Sequence, residues 1–347
     1  MKNILLTGGT GFIGSHTCIS LLKKGYNVTI VDSLINSKRS TIDRLNLIKK
    51  KNSKALSGNL EFKFGDIKNR EFLEKVFSDS EGFDGVIHFA SLKAVGESVS
   101  LPIKYWENNV FGTINLLNVM DKFDCNNLIF SSSATIYGNK NSPCLNENSK
   151  LEPINPYGST KVAIECFLND IFNGAKEKWR IMNLRYFNPI GAHSSGLIGE
   201  NPNGIPNNIF PLILKVASKQ MNELMIYGKD WETKDGTGVR DYIHVMDVSE
   251  AHILSLEFLI KKQPQYLSLN LGTGFGTSVL ELIKVFERVN NVNIPYSFRG
   301  RREGDIAITI ADNSLMKKVL NWQPTRSIEE MCKDGWKWQK NKISSDF

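Results

Sequence analysis

Tyr157 and Lys161 fall one helical turn apart in Pro156-Tyr157-Gly158-Ser159-Thr160-Lys161, at the head of a stretch whose apolar spacing predicts a helix. On a helix that spacing puts both side chains on one face. An ammonium beside a phenol favours the phenolate, so a group that ordinarily titrates at about 10 is expected to be drawn toward neutrality. Such a tyrosine can take a proton from a hydroxyl. Taken alone, the pair also describes a surface tyrosine beside a solvated lysine. Ser133, at the end of the strand-like run Asn127 to Ser132, adds a hydroxyl able to hold the same reacting oxygen or to cap the strand end.

The opening of the chain shows what such a base would work with. Met1 to Thr7 reads as a strand, Gly8-Gly9-Thr10-Gly11-Phe12-Ile13-Gly14 as a glycine loop, and Ser15 to Lys24 as an amphipathic helix. Glycines there let the turn close, let backbone N–H groups approach a pyrophosphate, and let helix and strand pack closely. A second apolar strand, Asn27 to Val31, ends in Asp32. An acid at that point accepts hydrogen bonds from a ribose 2′-hydroxyl and repels a 2′-phosphate, which favours NAD. Lys38 and Arg39, a few residues on, keep NADP in view.

These residues need a scaffold, and strands alternate with helices as far as about residue 187. Glu61 to Gly65, Gly85 to Phe89, Asn127 to Ser132 and Arg180 to Tyr186 follow the first two strands. Such alternation predicts an α/β fold, a doubly wound Rossmann-type parallel sheet with helices on both faces. Ligands bind such sheets beyond the carboxyl ends of the strands, where Asp32, Asp66, Ala90, Ser133 and Asn188 stand. After Phe187 the texture changes to loops rich in Pro, Gly and Asn, then shorter elements. The expected division is residues 1–187 for the cofactor and 188–347, a smaller α/β unit, for the substrate, with 245–262 packing back on the first.

Composition narrows the function class. The chain has 347 residues, 41% hydrophobic and 23% charged, ordinary for a soluble globular protein. Its net charge of +7 is scattered, apart from Lys49-Lys50-Lys51 and Lys54, which read as a solvated helix end. Neither nucleic acid nor a membrane is expected as a partner, and an anionic small molecule suits the charge. Five cysteines without Cys-x-x-Cys spacing read as thiols in a reducing compartment, and five histidines show no metal-ligand spacing. His88 reads as a core or cofactor-proximal residue. The N-terminus reads as a first strand instead of a targeting segment, so the expected location is cytoplasmic.

At this point the chain resembles the extended short-chain dehydrogenase/reductases. The resemblance rests on the glycine loop, Val86-Ile87-His88-Phe89-Ala90, Ser131-Ser132-Ser133-Ala134-Thr135, Tyr157 with Lys161, and Arg185-Tyr186-Phe187-Asn188-Pro189. Four more stretches are similar to the UDP-glucose 4-epimerase family. They are Leu92-Lys93-Ala94-Val95-Gly96-Glu97-Ser98, Gly204-Ile205-Pro206-Asn207-Asn208, Asp235 to Val245, and Arg301-Arg302-Glu303-Gly304-Asp305. The resemblance implies a resident NAD, oxidation at C4 of a UDP-hexose, rotation of the 4-keto sugar, and re-reduction on the other face. Ser133, Tyr157 and Lys161 would be catalytic, Tyr157 as base.

By the same resemblance, cofactor contacts fall to Gly8, Gly11, Phe12, Ile13, Gly14, Asp32, Asp66, Ile67, Phe89, Ala90, Lys93, Asn108, Tyr157, Lys161 and Tyr186. Substrate contacts fall to Lys93, Ser133, Tyr157, Asn188, Asn208, Tyr227, Arg240, Arg302, Asp305 and Thr309. Arg240 and Arg302 would hold the diphosphate, for which guanidinium forks are suited. Where some members carry tyrosine this chain has Thr309, which leaves room for an N-acetyl group and predicts activity on UDP-GlcNAc and UDP-GalNAc. A 4,6-dehydratase commonly needs a carboxylate pair directly after the strand-end hydroxyl, where this chain has Ala134 and Thr135. A dehydrogenase that releases NADH and a non-catalytic NAD-binding regulator remain as alternatives. The family pairs through the helices here expected over 103–122 and 157–172, which implies a homodimer.

Overall fold

The computed structural model describes residues 1–138, 144–204, 206, 208–302 and 304–344. Ile205, Asn207 and Glu303 of the quoted motifs lie outside the described residues. The sheet begins with Asn3–Thr7, in which Ile4, Leu5 and Leu6 are fully buried. Alternate residues of a strand point to opposite faces. Ile4 and Leu6 accordingly join one apolar cluster, with Leu21 and Leu22, and Leu5 joins another, with Leu116 and Leu168. Helices therefore cover both faces, as the period of the pattern predicted.

Seven parallel strands form the main sheet. In chain order they are Asn3–Thr7, Asn27–Asp32, Leu60–Phe64, Gly85–His88, Asn127–Ser133, Arg180–Tyr186 and Gln265–Leu271. Asn3–Thr7 is flanked by Asn27–Asp32 on one side and Gly85–His88 on the other, so the winding reverses there and opens a crevice at its carboxyl end.

Two elements differ from the sequence reading. Gln265–Leu271 enters the sheet beside Arg180–Tyr186. It follows the helix Val245–Lys261, which packs on the helix Phe12–Lys23. Residues beyond 187 thus complete the sheet, because the open hydrogen-bonding edge of Arg180–Tyr186 is paired by a strand that adjacency in sequence could not assign. The helix expected over 103–122 has three parts: Pro102–Tyr105, a π-helical turn Trp106–Phe111, and Gly112–Lys122. Such turns rotate the side chains that follow and are frequent at functional sites. Here Asn108 lines the crevice, and Asn109 turns inward to bond the backbone N–H and carbonyl of Leu92 at 2.8 and 3.1 Å.

The lysines at 49–51 end the helix Ser40–Lys51, where cations complement its carbonyl terminus. Smaller sheets build the rest of the chain. Thr277–Ser278, Val239–Arg240, Ile308–Ala311 and Cys144–Leu145 form one, and Asn188–Ile190 pairs with Tyr242–His244. Leu224–Tyr227 pairs with Tyr296–Arg299. A third apolar cluster around Phe210, Ile213, Leu282, Phe286 and Met331 supports them. Among the described residues no helix is long and apolar enough to cross a membrane.

Candidate active site

The glycine loop closes over the carboxyl end of the first strand. Gly8 has φ of +71°, a left-handed conformation that glycine adopts without cost. A Cβ on Gly14 would stand 2.5 Å from the Gly8 carbonyl oxygen and 2.8 Å from the Gly9 Cα, so the helix begins in direct backbone contact with the turn. Gly11 is the N-cap of that helix, and no side chain blocks its free N–H groups. This is a cradle that fits a pyrophosphate. Asp32, 8% exposed, accepts from the backbone N–H of Thr10 at 3.1 Å and of Leu34 at 2.8 Å, and from the Ser37 hydroxyl at 3.1 Å.

One crevice runs from this loop to the tyrosine. Gly8, Gly11, Phe12, Ile13, Gly14, Asp32, Asp66, Ile67, Phe89, Ala90, Lys93, Asn108, Ser133, Tyr157, Lys161 and Tyr186 all line it, and so do Asn188 and Asn208. The Lys93 ammonium at its rim is 2.9 Å from the Glu200 carboxylate. His88 is a core residue below it. The Thr113 hydroxyl donates to the Asn109 carbonyl at 2.5 Å, so His88 Nε2–H donates to Thr113 at 2.9 Å and Nδ1 accepts from Thr7 at 2.6 Å.

The helix that carries Tyr157, Pro156–Gly174, starts with Asn155 as N-cap, its side chain accepting from the Gly158 N–H at 2.9 Å, and with proline in the first turn. Tyr157 and Lys161 both face the strand Asn127–Ser133. Lys161 is 1% exposed, donates to the Ser131 carbonyl at 2.7 Å, and lies 4.7 Å from the Phe130 ring centroid and 5.7 Å from that of Tyr157. Ser133 accepts from the backbone N–H of Thr135 at 3.2 Å and from its hydroxyl at 3.0 Å. Ser133 thus caps the strand end and lines the crevice at once.

Burial acts on both members of this pair. Burial pushes the Tyr157 phenol up to about 12, the Ser133 hydroxyl acting against it, and burial pulls the Lys161 ammonium down to about 7 while Glu165 acts upward. Desolvation penalises the charged form of each and is the largest cause of both shifts. Tyr186, whose hydroxyl is 2.6 Å from His252 Nε2, is also pushed up by burial.

The remaining predicted substrate residues gather elsewhere. Tyr227, Arg240, Arg302, Asp305 and Thr309 are not among the residues that line the crevice. Arg302 lies 3.9 Å over the Tyr227 ring, Arg240 is 4.0 Å from the Asp305 carboxylate, and Arg240 and Thr309 are register partners on neighbouring strands. The two groups are joined through Asp241. It follows Arg240, is fully buried, and accepts from the backbone of Thr273, Gly274 and Ala311, while its carbonyl accepts from Asn188 N–H.

Sequence reasoning passed over Glu165 and Glu200, and named Thr135 only for the carboxylate it lacks. Thr135 had a signal, its place two residues beyond Ser133. Glu165 continues the stripe of Tyr157 and Lys161, whereas Glu200 lies in a loop that carried none. Among the described residues no group of His, Cys, Asp and Glu could hold a metal ion.

The comparisons follow the geometry. A family model described as GDP-mannose 4,6 dehydratase matches residues 5–335. The chain is 46% identical over 341 residues to a UDP-glucose 4-epimerase of Bacillus subtilis (strain 168), covering 98% of each chain. A crystal structure of UDP-glucose-4-epimerase from Stenotrophomonas maltophila, with bound NAD and formylated UDP-arabinopyranose, is similar with a TM-score of 0.93 and 43% identity over 99% of each chain. That of Bifidobacterium longum, in complex with NAD+ and UDP, is similar with a TM-score of 0.92 and 42% identity, again over 99% of each chain.

Proposed function

We infer the reaction from one premise: the chain belongs to the UDP-glucose 4-epimerase family, within the extended short-chain dehydrogenase/reductases. It is an NAD-dependent isomerase acting on UDP-sugars, and the function proposed is the interconversion of UDP-galactose and UDP-glucose at C4. The observation that carries the reading is the convergence of Ser133, Tyr157 and Lys161 on the crevice that begins at the glycine loop.

The residues present fit NAD. The cradle of Gly8, Gly11 and Gly14 suits its pyrophosphate, Asp32 an unmodified ribose, and Asp66 with Ile67 the adenine. When bound, NAD would supply an acceptor and donor of hydride. Tyr157 then takes the proton of the sugar 4-hydroxyl, with Ser133 holding the same oxygen and Lys161 keeping the phenolate charge matched. The same residues return the proton after the 4-keto sugar has turned over. Lys93 and Asn108 hold the nicotinamide side, Asn188 and Asn208 the sugar. Arg240 and Arg302 hold the diphosphate, Tyr227 the uracil and Asp305 the uridine ribose. Residues 1–187, with the helix and strand over 245–271 packed back on them, serve the cofactor, and the rest of 188–347 the nucleotide sugar.

Thr309 extends the proposal to UDP-GlcNAc and UDP-GalNAc, since a small residue leaves space near C2. Turnover on UDP-GalNAc far below that on UDP-galactose would remove this extension. A homodimer is part of the reading, supported by exposed apolar residues from Leu101 to Phe111, and so is a cytoplasmic location, supported by cysteines suited to a reducing compartment. The dehydratase alternative fails on chemistry, because the hydroxyl next to Ser133 belongs to Thr135 and no carboxylate follows.

Purified protein incubated with UDP-galactose and no added cofactor tests the reading. UDP-glucose should accumulate. Turnover that depends on added NAD and yields free NADH would replace the epimerase by a dehydrogenase.

A further inference from the structure

Helix Pro156–Gly174 presents Tyr157, Lys161 and Glu165 as one stripe, each a turn from the next. The strand Asn127–Ser133 meets all three. Ser133 stands beside Tyr157, the Ser131 carbonyl accepts from Lys161 at 2.7 Å, and the Ser132 hydroxyl donates to Glu165 at 2.5 Å. The side chains of Glu165 and Arg185 are 3% and 5% exposed. Arg185 donates to the Glu165 carboxylate through Nη2 at 2.6 Å and through Nε at 3.1 and 3.2 Å. Its other nitrogen, Nη1, donates to the Tyr137 hydroxyl and to the Glu147 carbonyl, each at 3.0 Å.

Position makes this pair more than a brace. Ser132 and Arg185 are register partners on adjacent parallel strands, and the next partners, Ser133 and Tyr186, line the crevice. The ion pair therefore lies one residue behind the reacting groups. Burying two charges is costlier than burying an apolar pair of the same size, so stability alone gives little reason for it.

We propose that Glu165, held by Arg185, is a positioning residue of the reaction: its carboxylate is the buried negative charge one helical turn behind Lys161, and its bond to Ser132 sets where Tyr157 meets Ser133. The inference rests on the reading of Tyr157 and Lys161 given above. Among the titratable groups packed around this stripe, burial lowers His88 to about 3 and raises Tyr157, Tyr186, Tyr137, Tyr266 and the Glu147 carboxyl above their ordinary values. Glu165 and Arg185 form the ion pair among these groups, and Glu165 acts upward on the Lys161 ammonium.

Glu165→Gln tests this in the NAD-loaded full chain with UDP-galactose, because it keeps an acceptor for Ser132 and removes the charge. Loss of a nearby negative charge lowers the pKa of neighbouring acids and bases alike. Both limbs of the kcat profile against pH should move to lower pH, the alkaline limb by about one unit, with kcat falling roughly tenfold near neutrality and KM little changed. Limbs that stay where the wild type has them, with activity lowered evenly, would show a structural brace only and overturn the inference. Should Arg185 left alone prevent folding, Glu165→Gln with Arg185→Met removes both charges. The limbs should then move in the same direction by less, and unmoved limbs again overturn it. A wild-type chain inactive on UDP-galactose would instead remove the reading of the site itself.

Discussion

Gly8 lies so close to Ala90 that a Cβ added to it would stand 2.6 Å from the Ala90 amide nitrogen. The glycine loop of the first strand is thus pressed onto the end of the fourth, with backbone against backbone, and neither side can yield as a flexible side chain would. Gly8→Ala adds the left-handed φ of +71° to that clash. It should cost about 1–3 kcal/mol in stability and empty the protein of NAD. Denaturant unfolding and the nucleotide released on heating measure both, and a variant with full cofactor content would contradict the assignment of the cradle.

Tyr157→Phe removes the hydroxyl and leaves the ring against Lys161. Activity on UDP-galactose should fall by about 10²–10⁴, the usual range for a positioned acid or base. Bound NAD should stay, because the glycine loop and Asp32 are untouched. If the substitution leaves turnover near wild type, the proton acceptor is another group.

Three histidines stay neutral by burial. His16 and His88 are lowered to about 3 and His252 to about 4, against 6.5 for the model imidazole. At acid pH the unfolded chain binds protons there that the folded chain does not, so their contribution is whole above pH 6.5 and is lost as pH falls toward 3–4. Each should remove up to roughly 1.4 kcal/mol per pH unit in that window. Imidazole NMR signals that show no titration of these residues down to pH 5 would bear this out. A titration midpoint near 6.5 in the folded protein would refute it.

Leu101, Ile103 and Trp106 are 45%, 74% and 42% exposed on a single turn-rich stretch beside the helix that carries Tyr157. Ile103→Asp should convert the proposed dimer to monomer by sedimentation, with little loss of monomer stability because the side chain is outside the core. Wild-type protein sedimenting as a monomer would end the dimer proposal directly.

Much of this protein was legible because its signals are local. Thr7 to Gly14 specify a strand, a turn that needs glycine and a helix within one short run. Tyr157 and Lys161 share a face by helical period alone, and Asp32 ends a strand whose apolar pattern is unbroken. The order in which these elements recur determined the parallel sheet and the end at which ligands would bind. What the tertiary structure decided depends on contacts between distant residues. It placed Gln265–Leu271 in the main sheet, turned Asn108 to the crevice and Asn109 away from it through a π-helical turn, and paired Arg185 with Glu165 behind Lys161. It also decided how deeply Tyr157 and Lys161 are buried. Spacing foretold their attraction, but desolvation depends on how completely the rest of the chain closes around them, and no local pattern records that.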